Sequence, residues 1–123
     1  MFQFLNHYMI NFQRNDSMFG LLDRDFEYIQ RAMENLKEID KAIIFGSRAL
    51  GNYKKGSDVD IAISGKNVTS KTLYQLDDLL NEEFPLPYFF DIVQYEEINN
   101  ENLKNHIDTF GREIYRKSEL SQK

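Results

Sequence analysis

The chain of 123 residues has no cysteine, which excludes disulfides and thiolate zinc sites and fits a cytoplasmic setting. Histidine is nearly as scarce. His7 and His106 stand alone, with no third nitrogen or sulfur ligand near either, so both are expected at the surface. Positive charge is thin and dispersed: the net charge is −5 and the longest basic run is Lys54-Lys55. Stable binding to a nucleic-acid backbone, which depends on clustered Lys and Arg, is therefore not expected. No apolar run approaches the length of a membrane span, so no membrane association is expected. There are no repeats and no low-complexity segments. The first residues also lack the basic start and small-residue cleavage site of a signal peptide.

What remains is the composition of an ordinary soluble domain, 41% hydrophobic and 28% charged. The length suits one domain. Met1 to Ser17 is aromatic-rich but interrupted by Asn6, His7, Asn11, Gln13 and Arg14, and reads as an N-terminal extension to a domain spanning 18–123. From Asp23, a plausible cap, Phe26, Ile29, Met33, Leu36 and Ile39 recur at helical spacing. Ala42 to Phe45 is a short apolar run with β-branched and aromatic residues, a buried strand. A short helix is expected over Arg48–Asn52, and a second strand over Asp58–Ser64. Gly65-Lys66-Asn67 is turn chemistry, after which Ser70 can cap a helix running to about Glu83, with Leu73, Leu76, Leu79 and Leu80 inward. Asp77-Asp78 and Glu82-Glu83 read as its solvated face. Pro85 and Pro87 end it and lead to a third strand, Tyr88–Tyr95. Asn100 caps a last helix with Leu103, Ile107 and Phe110 inward and Gly111 at its end. Arg112 to Lys117 is expected to pack Ile114 and Tyr115 back on the domain. The order implies a small α/β (α+β) fold, a sheet covered by helices.

One spacing carries chemistry: Gly46-Ser47, ten residues, then Asp58-Val59-Asp60, within IIFGSRALGNYKKGSDVDIAIS (Ile43 to Ser64). Gly46 permits a tight turn and close approach to a ligand. Ser47 falls at the mouth of the short helix, where free N–H groups favour an anion such as phosphate. Asp58 and Asp60, two apart at the head of a strand, point to one face about 7 Å apart. Two carboxylates facing one way repel unless a cation lies between them, and hard oxygen ligands beside a triphosphate favour Mg²⁺. Val59, Ile61 and Ile63 fill the opposite face. Asp91 stands alone in the apolar centre of the third strand, where burying a charge is costly unless it is paired or bound to a metal; it is the candidate third ligand. Ser57 is placed to hydrogen-bond a metal-bound carboxylate. Arg48 has two open readings, contact with a triphosphate or a surface salt bridge. Lys54 and Lys55 are expected to be solvated, and Gly51 and Gly56 to let the loop bend back.

The Gly-Ser, ten-residue gap and Asp-x-Asp string resembles the signature of the nucleotidyltransferase superfamily. Over roughly Met18 to Lys117 the chain is most similar to the minimal nucleotidyltransferase (MNT) family, the MntA-like antitoxins of HEPN/MNT toxin–antitoxin pairs. Met18-Phe19-Gly20-Leu21 resembles the usual start of small members; the segment before it departs from the pattern. The resemblance implies that Gly46 and Ser47, with Arg48 and Ser57 nearby, bind nucleotide phosphates. It implies that Asp58, Asp60 and Asp91 hold two Mg²⁺ ions and are the catalytic residues, Asp91 matching the family's third acid on the neighbouring strand. It also implies transfer of AMP from ATP to a tyrosine of a HEPN-domain toxin, in a hetero-oligomer. Larger relatives add an acceptor domain, so here the acceptor surface is expected to be small or supplied by a partner. Two alternatives stay open: an antibiotic-modifying small-molecule nucleotidyltransferase, and a non-catalytic antitoxin that acts by binding.

Overall fold

The computed structural model describes residues 18–118; the expected N-terminal extension lies outside the described residues. The elements run α1 (Asp23–Glu34), β1 (Lys41–Phe45), a one-turn α2 (Ser47–Leu50), β2 (Val59–Ser64), α3 (Ser70–Asp78) continued by a π-helical segment (Leu79–Glu83), β3 (Phe90–Gln94), a 3-10 turn (Tyr95–Glu97), α4 (Glu101–Phe110) and β4 (Arg112–Arg116). The four strands form one mixed sheet in the order β3-β2-β1-β4. β1 runs antiparallel to β2 and β4, while β2 and β3 are parallel. This is the expected mixed sheet covered by helices.

Strand alternation divides the apolar residues between two cores. Ala42, Ile44, Val59, Ile61, Ile63 and Phe90 face one side and pack under α1 and α3 through Phe26, Ile29, Met33, Leu76 and Leu80. The other face carries Phe45 and Ala62 against Ile107 of α4, with Ile43, Val93 and Leu103 around them. That second core is small. It covers the middle of its face and leaves the sheet end beyond Ala62 and Val93 open for polar groups.

Several local expectations shift. Helix α1 stops at Glu34, and Leu36 and Ile39 reach the core from the following turns instead. Its cap is not Asp23: the Asp25 carboxylate accepts the Leu22 N–H at 2.8 Å and the Tyr88 hydroxyl at 2.6 Å, and is 1% exposed. Thr69, not Ser70, precedes α3. Asn100 does cap α4, accepting the Leu103 N–H at 3.1 Å. Phe110 lies 49% exposed rather than inward. Gly111 has φ −64°, so it is needed for space and not for a left-handed turn; a Cβ there would strike the Ile107 carbonyl and Ile43. The segment after it is a fourth strand, paired with β1 from Lys41↔Arg116 to Ile44↔Arg112.

Candidate active site at the head of strands β2 and β3

The Asp-x-Asp string enters β2, and β3 lies beside it in parallel with Asp60 opposite Asp91. Register partners in a parallel ladder share a face, about 4.8 Å apart. Asp58, two residues before Asp60, belongs to that same face. Val59 donates its N–H to the Phe89 carbonyl at 2.8 Å, fixing the two strand heads at the level of the carboxylates. The head of β3 is held a second time from α3's π-helical end: the Asn81 side chain accepts the Phe90 N–H at 2.8 Å and donates to the Phe90 carbonyl at 3.0 Å. Asn81 thus acts as a short strand on β3's outer edge, one residue from Asp91. No periodic pattern marks it, since its role depends on the local widening of the helix.

Asp91 occupies the expected place for a different reason. It is exposed, not buried in an apolar centre, because β3 is an edge strand and its Asp91 face lies outside the α4 contact. Asp58 is also exposed and Asp60 half-buried. Among the described residues none of the three carboxylates accepts a hydrogen bond or forms an ion pair. Burial raises the Asp60 pKa above the ordinary carboxylate value, and the charges of Asp91 and then Asp58 raise it further; His106 and Arg48 pull it down. The donor set suits a hard divalent cation: three carboxylates on one face, mutually repelling and in no ion pair among the described residues. Among the described residues no group of three or more His, Asp or Glu side chains is closed around a point that could hold an ion, so sharing one would require the three carboxylates to draw together.

The Gly-Ser turn abuts this cluster. Phe45 pairs with Asp60 across β1 and β2, which brings Gly46 against the Asp60 carboxylate. Gly46 has φ 76° and ψ −155°, and a Cβ there would overlap the Asp60 oxygen. Gly46→Ala is therefore expected to cost about 1–3 kcal/mol from backbone strain alone, read as a lower urea midpoint, with further loss from the displaced carboxylate. Helix α2 is a single turn, Ser47–Leu50, so its dipole is small; what it offers an anion is its first amides, which have no intrahelical acceptor.

His106 is the residue the sequence did not point to. It is not a free surface histidine: from α4 its Nε2 accepts the Gly46 N–H at 2.9 Å. The ring lies edge-on to Phe45 at 6.1 Å and beside Phe110 at 5.6 Å. The bond spans 60 residues, which is why sequence spacing gave no signal. It also means the Gly46 amide already has a partner, leaving the amides from Ser47 onward to face an anion.

Arg48 does not form the surface salt bridge of its second expected reading. It is 3% exposed. Its Nε and Nη2 donate to the Ser57 carbonyl at 3.1 and 2.8 Å, and Nη1 to the Phe19 carbonyl at 2.8 Å, with the guanidinium 5.1 Å from the ring centres of both Tyr53 and Tyr88. It ties the ten-residue loop down immediately before Asp58. The Ser57 hydroxyl accepts the Lys54 N–H at 2.9 Å and so closes the loop rather than bonding a carboxylate.

The raised Asp60 pKa has a stability consequence. A carboxylate whose folded pKa exceeds its unfolded value binds more protons when folded, so its contribution to stability is lost as pH rises through the folded pKa. In the presence of EDTA, Asp60→Asn is expected to flatten the fall in stability between acid and neutral pH and to equal or exceed the native protein at neutral pH. Urea titrations across that pH range, on both proteins, measure it.

Comparison with known proteins places the fold. Residues 27–120 match the family described as polymerase beta, nucleotidyltransferase. No curated protein sequence matches the chain. Among solved structures, a toxin–antitoxin complex with AMP-PNP superposes with a TM-score of 0.62 at 18% identity, covering 79% of this chain and 77% of the other. The toxin–antitoxin pair MntA–HepT gives a TM-score of 0.59 at 16% identity, covering 82% and 78%, and a mutant of that pair gives 0.61 at 17% identity, covering 83% and 79%. At these identities the likeness is one of fold. Among the described residues no helix is long and apolar enough to cross a membrane. With residues 27–120 of the 123 matched, this chain belongs to the polymerase beta-type nucleotidyltransferases.

Proposed function

We propose that the chain transfers AMP from Mg²⁺-bound ATP to a tyrosine hydroxyl of a partner HEPN-domain toxin and thereby acts as its antitoxin. The observation that carries the chemistry is the facing pair Asp60–Asp91 with Asp58 beside it, three carboxylates in no ion pair among the described residues. A pure binding protein gains nothing from holding such repulsion. The toxin partner rests on the likeness in fold to the toxin–antitoxin complexes.

In this reading Asp58, Asp60 and Asp91 hold two Mg²⁺ ions, which when bound neutralise the cluster and stabilise the attacking and leaving oxygens. The Ser47 amide and hydroxyl hold the β- and γ-phosphates. Gly46 makes room for the Asp60 carboxylate, and His106 fixes the turn by accepting the Gly46 amide proton. Arg48 and Ser57 serve the nucleotide indirectly, by setting the backbone from which Asp58 projects. The acceptor oxygen attacks the α-phosphorus, the bond to the bridging oxygen breaks and pyrophosphate leaves. Asp91, on the edge strand, is open to an incoming hydroxyl and can take its proton.

The test is incubation of the chain and its co-expressed partner with ATP labelled at the α-phosphate. Label on the partner that requires Mg²⁺ supports the proposal. Label found only on a small molecule such as an aminoglycoside would replace the protein acceptor with an antibiotic, and inhibition of the toxin without any label would make the chain an antitoxin that acts by binding.

A further inference from the structure

Away from the carboxylates lies a cavity of about 560 Å³, between the ten-residue loop and the chain entering β3. Its wall includes Arg48, Tyr53, Lys54, Lys55 and Tyr88. None of Gly46, Ser47, Asp58, Asp60 or Asp91 lines it. Arg48 is 97% buried there by its 3% exposure, and no carboxylate lies within ion-pair distance of it among the described residues. Its three hydrogen bonds all go to neutral backbone carbonyls. A buried guanidinium has five N–H donors and a charge that costs free energy unless compensated. Its direct contacts are carbonyl dipoles and the faces of Tyr53 and Tyr88, with the Asp60 charge acting from farther off, while two exposed lysines stand on the same wall.

We infer that this cavity is a second anion site, distinct from the catalytic carboxylates, which takes a small polyphosphate. Three cations and no carboxylate around one hollow match a compact ligand of two or more negative charges better than a single carboxylate. The volume falls within the range for small-molecule sites, roughly 300–1,000 Å³. In a chain of net charge −5, Arg48, Lys54 and Lys55 gather three positive charges on this wall. The ligand's effect would reach the active site through Arg48, whose grip on the Ser57 carbonyl sets the residue before Asp58. Pyrophosphate and the tail of a free nucleotide share this chemistry. Gly20, at φ 75° with no room for a Cβ beside Arg48 and Tyr53, lets the chain close the cavity floor.

The site is tested without metal, partner or turnover, so its failure would leave the proposed transferase untouched. Tripolyphosphate, pyrophosphate, ATP and AMP are each titrated calorimetrically into the protein in EDTA at low salt. Tripolyphosphate is expected to bind, at least tenfold more weakly to Lys54→Gln/Lys55→Gln, and as well or better to Asp60→Asn, which empties charge from the other site. Tighter binding of ATP than of pyrophosphate identifies a nucleotide as the source; the reverse identifies the released product. No binding of tripolyphosphate, or equal binding by the lysine variant, overturns the site. So does saturable binding of an acidic peptide alone, which would make the cavity a docking point for protein.

Discussion

Asp60→Ala and Asp91→Ala are each expected to lower nucleotidyl transfer by roughly a thousandfold or more. In the proposed mechanism each removes an oxygen ligand of an ion that stabilises developing charge in the transition state, an effect worth several kcal/mol, and each 1.36 kcal/mol is tenfold in rate. The two should fail for the same reason, since they face each other across β2 and β3. Ser47→Ala is expected to cost much less, because backbone amides that survive the substitution share the phosphate load. Initial rates of α-phosphate incorporation, at saturating ATP and Mg²⁺, distinguish the three. An Asp91→Ala protein with full activity would show that another carboxylate completes the site.

The second large effect is thermodynamic. A ligand at a hundred times its dissociation constant stabilises the native state by about 2.7 kcal/mol. For a domain of this length that corresponds to a rise in melting temperature of roughly 10 °C or more. Mg·ATP should produce such a rise in the native chain, and Asp58→Asn should lose it while melting no lower than the native chain in EDTA. That pairing is diagnostic, because a substitution that merely damaged the fold would lower both melts. Equal Mg·ATP shifts in the two proteins would remove Asp58 from the metal site.

The parts of this site that rest on spacing were legible before the fold was known. Gly46, Asp58 and Asp60 could be placed together because a turn and a strand of period two fix their relations locally. Asp91 could be placed on the neighbouring strand, although it is exposed at an edge rather than buried in a centre. What spacing did not reveal depends on contacts across the chain. His106 meets Gly46 only because α4 packs Ile107 on Phe45 and Ala62. Arg48 is withdrawn from the surface by carbonyls at Phe19 and Ser57. Strand β4 is five residues with an Arg at each end, a pattern too short and too charged to declare itself without β1 beside it. Asn81 is visible only once the helix carrying it is seen to widen at its end.

The pairing of chemistry with partner is the central claim, and intact-mass spectrometry of the co-purified toxin chain tests it most directly. After incubation with this protein and Mg·ATP, the toxin should gain one or more AMP increments, localised to a tyrosine, and the same incubation with Asp58→Asn should leave its mass unchanged. A toxin whose mass stays unmodified with the native protein, yet is fully silenced by it, would contradict the account.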